Sequence, residues 1–291
     1  MKTIGIYPNI DNDTELLGTG HVIWALEGKA RIMMPLDGKE RVLSHLGAEL
    51  EARVEFVPCD ELFSRPDAVI VLGGDGTILE AARYAVAECK DGGEVMPLLG
   101  INLGRIGYMA ELELDEVGLL DRLIDGDYTV EHRMMLEAEV NGEKMPALNE
   151  AVLGAASMFR IVEVELYCDG KLVNKYRADG LIASTPTGST AYSMSAGGAV
   201  VDPRMDAVII TPICSHSLNA TPLVFSAESE YSMKNVTARE DCLYLCLDGG
   251  KAVPITYGVD VKLRRSSRTV SLIRLKDGGF YDVLRRKMSD K

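Results

Sequence analysis

The sequence predicts two domains: an α/β N-terminal domain with a parallel, Rossmann-like sheet, and a β-rich, antiparallel C-terminal domain of the β-sandwich type. Up to Glu131, short β-branched apolar runs alternate with stretches of helical periodicity, which is typical of a parallel sheet covered by helices. After Glu131, short alternating runs recur instead. The dipeptides Asn141-Gly142 and Asp169-Gly170 separate some of these runs, and both favour tight β-hairpins.

The N-terminal elements follow from apolar runs for the strands and from helical spacing for the helices. Strands are expected at Ile4–Tyr7, Val54–Val57, Ala68–Leu72 and Met96–Ile101, and helices at Lys39–Leu50, Thr77–Lys90 and Asp115–Ile124. Residues 11–36 carry only a weak pattern, in which Asp11-Asn12-Asp13-Thr14 is a candidate helix cap.

The C-terminal elements are predicted mainly as strands. They are expected at Leu136–Val140, Ala147–Leu153, Ile161–Tyr167, Lys171–Tyr176, Val208–Thr211, Leu243–Leu247, Val261–Leu263 and Val270–Leu275. The last stretch, Phe280–Lys287, is compatible with a strand or a short helix.

Composition narrows the class of protein. The net charge of −13 over 291 residues argues against a nucleic-acid partner, which requires basic surface. No apolar run approaches the ~20 residues needed to cross a bilayer, so no membrane association is expected. The six cysteines form no Cys-x-x-Cys pair, and we expect reduced thiols in a cytoplasmic protein. The four histidines lack zinc-ligand spacing.

The most informative stretch is the turn Gly73-Gly74-Asp75-Gly76, which follows an apolar strand and precedes a predicted helix. Glycines let the backbone approach a phosphate closely, and the N–H groups at a helix start point towards it. Asp75 conflicts with simple phosphate binding, because its carboxylate repels the ligand unless it binds a metal or takes a proton. The turn therefore indicates phosphoryl chemistry.

A second dense stretch runs from Ser184 to Ser195 and contains eight hydroxyl side chains. One interpretation is a surface loop, because small hydroxyl residues favour turns and caps. The other is a nucleoside site, in which hydroxyls bind ribose and base edges and the ring of Tyr192 stacks. A serine nucleophile is disfavoured, because this stretch has neither a Gly-x-Ser-x-Gly motif nor a nearby histidine.

The pair Asn149-Glu150 interrupts an apolar, strand-like run. Buried polar groups without partners cost ~1–3 kcal/mol each. Either the pair lies in a turn and faces outward, or it binds a ligand, and the residues alone leave both possibilities open.

Taken together, these stretches resemble the NAD kinase family. The family's marks are the Gly-Gly-Asp-Gly turn at Gly73–Gly76, the Asn149-Glu150 pair and the segment Thr185–Tyr192, which occur here in the family's order. The glycine turn alone is weak evidence for the family, since lipid kinases and phosphofructokinases carry relatives of it. The segment Thr185–Gly198 makes the resemblance specific. Residues 11–36 are not typical of the family.

The resemblance implies phosphorylation of the 2′-hydroxyl of the adenosine ribose of NAD, giving NADP. It also implies ATP or polyphosphate as the donor, with a divalent metal, Mg²⁺, and a homodimer or homotetramer as the assembly. The C-terminal tail is implied to complete the first domain. We therefore assign residues 1–131 and 275–291 to the α/β domain on the phosphate-donor side, and 132–274 to the β-rich NAD-binding domain.

The resemblance also implies residue roles, position by position. Asp75 matches the family's catalytic base, and Asp75 and Gly76 match positions that contact NAD. Gly73, Gly74 and Gly76 match the phosphate-binding backbone. The resemblance implies no protein ligand to a metal. The other NAD-binding positions are Asn149, Glu150, Arg160, Arg177, Asp179, Thr187, Thr190, Ala191, Tyr192 and Ser195. The alternatives are a lipid- or sphingoid-type kinase with the same glycine turn, and a non-catalytic NAD-binding regulator.

Overall fold

The structure is a computed structural model that describes residues 2–89, 93–104, 107–155, 160–217, 220–237 and 242–289. The chain divides into two compact units, one of Met1–His132 with Val270–Lys291 and one of Arg133–Thr269. The divisions predicted from the sequence fall after 131 and 274. Within the described ranges, no helix has the length and apolarity that a membrane span requires.

The elements are numbered here along the chain. The strands are β1 (Thr3–Pro8), β2 (Arg31–Pro35), β3 (Val54–Val57), β4 (Ala68–Leu72), β5 (Leu98–Asn102), β6 (Leu112–Glu113), β7 (Thr129–Val140), β8 (Glu143–Ala147), β9 (Glu150–Ala155), β10 (Val162–Cys168), β11 (Lys171–Ala178), β12 (Gly180–Ser184), β13 (Ala207–Ile213), β14 (Leu223–Ser226), β15 (Tyr231–Asn235), β16 (Leu243–Leu247), β17 (Val253–Ile255) and β18 (Asp260–Arg274). The helices are α1 (Leu17–Leu26), α2 (Lys39–Leu46), α3 (Cys59–Leu62), α4 (Asp75–Glu88), α5 (Leu120–Asp125), α6 (Tyr192–Ser195) and α7 (Phe280–Ser289), and 3₁₀ turns cover Ala48–Ala52, Leu114–Leu119 and Gly188–Thr190.

The first unit contains a parallel sheet with the order β18-β5-β4-β1-β2-β3. Strand β1 is central, with β2 and β3 on one side and β4 and β5 on the other. The order therefore reverses between β1 and β4, which is the point where open α/β sheets bind ligands beyond the carboxyl ends of their strands. The predicted Rossmann-like sheet is confirmed.

The second unit is built from two antiparallel sheets. One has the order β14-β13-β12-β9-β16-β17, and the other runs β11-β10-β15-β18 and continues through β7 and β8. A single apolar core takes side chains from both sheets, among them Leu166 and Met233 from one and Leu153 and Ala183 from the other. This shared core confirms the predicted β-rich, sandwich-like domain.

The predicted hairpins form at both dipeptides. Asn141 and Gly142 have φ of 52° and 87°, and Asp169 and Gly170 have φ of 49° and 74°. Two successive positive φ values define the type I′ turn, whose twist matches that of the strands it joins. The first of these turns connects β7 to β8, and the second connects β10 to β11.

Several predicted elements need correction. The helix over Lys39–Leu50 ends at Leu46, because Gly47 has φ of 106°. The segment Asp115–Ile124 is a 3₁₀ turn followed by α5, and the predicted strands Val261–Leu263 and Val270–Leu275 are one strand, β18. Phe280–Lys287 is helical, and Lys90 at the predicted end of α4 lies outside the described residues.

Candidate active site

The glycine turn lies at the carboxyl end of β4, all of which is buried. Gly73 donates its N–H to the carbonyl of Ile101 at 2.9 Å, and a Cβ at Gly73 would lie 2.3 Å from Oγ1 of Thr77. No larger residue fits there. Cβ positions at Gly74 and Gly76 meet nothing within 4 Å, so this part of the turn is open to a ligand.

Asp75 opens α4 and is held by the backbone. Its Oδ2 accepts the N–H of Tyr108 at 2.8 Å, and its Oδ1 accepts that of Met109 at 3.0 Å. A carboxylate offers about four lone-pair sites, so each oxygen retains acceptor capacity after these two bonds. The carboxylate is therefore fixed in orientation and still able to take a proton.

The segment that holds Asp75 is packed against the C-terminal helix. The ring of Phe280 in α7 lies 6.4 Å from the ring of Tyr108, and the Nζ of Lys287 lies 4.2 Å from that ring's centroid. Burial, with the nearby Asp75 carboxylate, raises the pKa of Tyr108. Tyr108 is thus a neutral phenol whose backbone positions the acid.

Glu150 begins β9 and Asn149 directly precedes it, and the backbone of this pair is bound by the Asp248 side chain. The Asp248 carboxylate accepts the N–H groups of Leu148 at 2.7 Å, of Asn149 at 2.8 Å and of Glu150 at 2.9 Å. The strand predicted over Ala147–Leu153 is therefore interrupted at these residues: β8 ends at Ala147 and β9 begins at Glu150. Asp248 has a positive φ of 48°, which Asp tolerates better than most residues.

The two side chains of the pair carry polar atoms without partners. Oδ1 of Asn149 and Oε2 of Glu150 are buried and accept no hydrogen bond from the described residues. Such orphaned acceptors are costly in a folded protein. They favour the ligand-binding interpretation of the pair over the outward-facing turn.

Glu150 has an unusual pKa. Burial, with repulsion from the Asp248 carboxylate as the second cause, raises it from 4.5 to about 7. The residue therefore titrates near neutral pH in the free protein, and it binds a proton more tightly when folded than when unfolded.

We expect Glu150 to make stability pH-dependent. Because the folded pKa of about 7 exceeds the unfolded value of 4.5, its contribution is fully present below pH 4.5 and is lost as the pH rises through 7. The full effect is on the order of 3 kcal/mol. Glu150→Gln removes this dependence, so thermal unfolding scans from pH 4.5 to 8 will show a smaller fall in Tm for the variant than for the wild type. Parallel curves would contradict the assignment.

The hydroxyl-rich loop is partly structural. Thr185 donates its hydroxyl to the carbonyl of Leu148 at 2.6 Å, Ser189 donates to that of Pro186 at 2.6 Å, and Ser193 bonds Thr211 at 2.9 Å. All these side chains are buried. The surface-loop interpretation is wrong for them, since they fix the loop against the unit rather than face solvent.

The candidate contacts differ in accessibility. Oγ1 of Thr187 is buried and accepts a hydrogen bond from Arg133 Nη1 at 3.3 Å. Thr190 and Ala191 are half-buried, and Tyr192 and Ser195 are exposed. The accessible end of the loop is therefore the stretch from Thr190 onward.

The second unit does not bring all predicted NAD contacts together. Ser184 pairs with Glu150 at one end of the β9–β12 ladder, and Gly180 pairs with Gly154 at the other. Asn149, Glu150 and the start of the loop thus share one end. The exposed residues Arg177 and Asp179 lie at the other end, and Nε of Arg177 is 3.5 Å from Oε1 of Glu163. Exposed Arg160 precedes β10.

Sequence reasoning assigned no role to two positions that contact the candidate site residues. Asp248 looks like an ordinary Asp-Gly turn residue, although the turn is the signal that could have pointed to it. Gly107 stands out only in the structure, where a Cβ would lie 2.1 Å from Oδ1 of Asp75.

The glycine turn of the first unit, with its oriented carboxylate, has the features of a phosphotransferase site. The second unit carries a polar pair with unsatisfied acceptors. Comparison with known proteins makes the class specific. Residues 33–128 match the family profile of the ATP-NAD kinase N-terminal domain, and residues 148–275 match that of the ATP-NAD kinase C-terminal domain. The chain belongs to the NAD kinase family.

Curated relatives agree with this assignment. The NAD kinase of Thermoanaerobacter sp. (strain X514) is 36% identical over 298 residues and covers 100% of both chains. That of Carboxydothermus hydrogenoformans is 41% identical over 243 residues, 81% of this chain and 84% of its own. The chain is thus an NAD kinase in function, which decides against a lipid- or sphingoid-type kinase and against a non-catalytic regulator.

Solved structures share the fold. A yeast NADH kinase complexed with NADH has a TM-score of 0.87 at 22% identity, covering 100% of this chain and 88% of its own. An NAD kinase from Archaeoglobus fulgidus in complex with ATP has a TM-score of 0.70 at 24% identity, covering 99% and 98%.

Proposed function

We propose that the chain transfers the γ-phosphoryl group of ATP to the 2′-hydroxyl of the adenosine ribose of NAD, with Asp75 as the general base. Asp75 takes the hydroxyl proton while the oxygen bonds to phosphorus and ADP leaves. The observation that carries this role is the Asp75 carboxylate, fixed by two amides beside an open glycine turn. A general base typically contributes about 10²–10⁴ in rate.

The glycine turn suits the phosphates. The backbone at Gly74 and Gly76 is open, and the first N–H groups of α4 lack intrahelical acceptors. With Gly73 they form an anion site of the kind found at helix N-termini. The NADH and ATP named for the yeast and Archaeoglobus structures support these ligand classes.

The NAD contacts proposed for the second unit start from Asn149 and Glu150, whose orphaned acceptors suit hydroxyl or amine donors of the adenosine moiety. The loop residues Thr187, Thr190, Ala191, Tyr192 and Ser195 complete the nucleoside contacts. Asp179 suits the nicotinamide amide, and Arg160 and Arg177 provide positive charge for the phosphates.

Tyr192→Ala is expected to weaken NAD binding about 10-fold with a smaller effect on kcat. The ring is 44% exposed and is available to stack on the substrate, an interaction worth ~1–3 kcal/mol per base. Titration calorimetry with NAD will measure the effect. Tyr257→Ala is the matched control, since Tyr257 is an exposed tyrosine of the same unit. An unchanged Kd for Tyr192→Ala would remove Tyr192 from the site.

The metal is proposed to arrive with the donor. Among the described residues, no three His, Cys, Asp or Glu side chains cluster as a ligand set. A Mg²⁺ ion bound to the donor's phosphate oxygens would neutralise charge that develops in phosphoryl transfer.

We also propose a homodimer or homotetramer in the cytoplasm. The six cysteines are in the thiol form, outside disulfide bonds, which is the state expected in a reducing compartment. Sedimentation equilibrium will give the oligomeric state.

The direct test is NADP formation with ATP and with polyphosphate, each with and without Mg²⁺. We expect ATP with Mg²⁺ to give NADP. Phosphate release without NADP would contradict the proposed reaction, and turnover with polyphosphate would add the second donor.

A further inference from the structure

A cavity of about 310 Å³ lies in the first unit at the carboxyl ends of its strands. The end of β1 and the residues that follow it form one wall. Pro35 at the end of β2, with Asp37 after it, forms a second wall, and Cys59 after β3 forms a third. Thr77 of α4 lines it as well, three residues on from Gly74. The cavity therefore adjoins the glycine turn without containing it.

Helix α4 presents one face to this cavity. Thr77, Glu80 and Tyr84 all line it, and their spacing of three and four residues puts them on one side of a helix. Seven residues of helix extend about 10 Å. A ligand along this face reaches from the first turn of α4 to the ring of Tyr84.

The cavity has an aromatic wall. Tyr84 stacks on Phe63 with ring centroids 5.4 Å apart and planes inclined by 13°, and Tyr7 packs edge-on against Phe63. The neighbours hold the Tyr84 ring in place, although it is 37% exposed. A rigid, partly exposed ring suits a flat, apolar group.

The polar lining consists of acceptors and neutral donors. Carboxylates of Asp11, Asp37 and Glu80 line the cavity, and no Lys or Arg does so among the described lining residues. Burial, reinforced by the Glu80 carboxylate, raises the pKa of Tyr7, so its hydroxyl stays protonated. Burial and nearby carboxylates likewise raise the pKa of the Cys59 thiol. The cavity therefore suits a neutral ligand with several O–H or N–H donors.

We propose that this cavity binds the nucleoside of the phosphate donor, with the ribose hydroxyls on Asp37 and the base beside Tyr84. The volume is at the lower end for ligand pockets, which span about 300–1,000 Å³, and it suits a nucleoside better than a dinucleotide. An acid after the second strand binds a ribose in dinucleotide-binding α/β folds. Asp37 follows β2 in the same way, while the phosphate-binding turn here follows β4.

The described part of the lining contains carboxylates and no basic group, and this charge fixes the orientation of the donor. A triphosphate is repelled by three carboxylates, so it must lie outside the cavity, and the adjoining Gly74–Gly76 backbone is open. The assignment rests on the proposed function, which places the donor phosphates at that turn. It adds a reason for preferring ATP, because polyphosphate has no nucleoside to fill the cavity.

The first test is kinetic and uses the full-length enzyme. Asp37→Ala is expected to raise the KM for ATP about 10-fold, with the KM for NAD unchanged, because a hydrogen bond to a charged group is lost. Asp37→Asn, which keeps one acceptor, will recover part of the effect. Asp60→Ala is the matched control, since it removes an exposed negative charge near Cys59 outside the lining. A KM for ATP that is unchanged or lowered in Asp37→Ala would overturn the proposal.

The second test does not depend on turnover. Cys59 lines the cavity, so adenosine and ATP should slow its alkylation by N-ethylmaleimide, as followed by peptide mass spectrometry. The exposed Cys214 of the second unit reports the rate of an accessible thiol in the same sample. Inorganic triphosphate alone should protect little.

The two tests separate failure of this inference from failure of the proposed reaction. NADP formation without adenosine protection of Cys59 would overturn the nucleoside site and leave the kinase activity standing. Protection equal with adenosine and with inorganic triphosphate would also overturn it, because a phosphate would then occupy the cavity. Adenosine protection in a protein that makes no NADP would support the cavity and contradict the reaction.

Discussion

Replacing Asp75 with asparagine is expected to lower kcat for NADP formation by about 10²–10⁴-fold. The amide cannot take the proton of the 2′-hydroxyl, while it occupies the same volume at the start of α4. Its oxygen keeps one of the two hydrogen bonds to Tyr108 and Met109. Steady-state kinetics at saturating ATP and NAD will measure the loss.

Two controls separate chemistry from folding in Asp75→Asn. The Kd for NAD should stay within about twofold of the wild-type value, and thermal unfolding should show a shift of only a few degrees, as for loss of one hydrogen bond. A variant that turns over at nearly the wild-type rate would exclude Asp75 as the base. A variant that fails to bind NAD would assign it to binding.

Gly107→Ala is expected to lower kcat by about 10²-fold without unfolding the protein. A Cβ at Gly107 would lie 2.1 Å from Oδ1 of Asp75, far inside contact distance, so the carboxylate must move. A displacement of ~1 Å of a catalytic group can cost about 10²-fold in rate. The effect should appear in kcat rather than in the KM for either substrate.

Gly104→Ala is the matched control for this prediction. It makes the same chemical change in the same segment, and its Cβ meets nothing within 4 Å. We expect Gly104→Ala to keep nearly wild-type kcat. Equal losses in both variants would mean that the segment tolerates no alanine and that Gly107 has no particular relation to Asp75.

Local patterns predicted much of the fold, and the failures have physical causes. The hairpins at Asn141-Gly142 and Asp169-Gly170 follow from turn chemistry that two residues determine. The sequence indicated a helix cap within Asp11–Thr14 but no bounds for helix α1, because much of the helix is buried and it contains two glycines. Asp13 provides that cap from outside the helix, accepting the N–H groups of Gly18 at 3.1 Å and Thr19 at 2.7 Å.

The candidate site was predictable where motifs are local and unpredictable where they depend on distant partners. Asp75 and its glycines form one short motif. The roles of Gly107 and Asp248 depend on contacts with residues remote in sequence, Asp75 and the Leu148–Glu150 backbone, which no spacing rule reveals. The proposed NAD contacts Arg177 and Asp179 lie at the opposite end of the β9–β12 ladder from Asn149, a separation that only the strand register reveals.

The packing of Gly188 bears on how substrate preference in this protein can be redesigned. A Cβ there would lie 2.2 Å from the carbonyl oxygen of Asn149, and Thr185 donates its N–H to the same carbonyl at 2.8 Å. The loop and the Asn149-Glu150 pair are thus packed against each other as one unit, and the Asp248 carboxylate binds the backbone of the pair. A loop transplanted from a relative will fit only if residues 148–150 and Asp248 are transplanted with it.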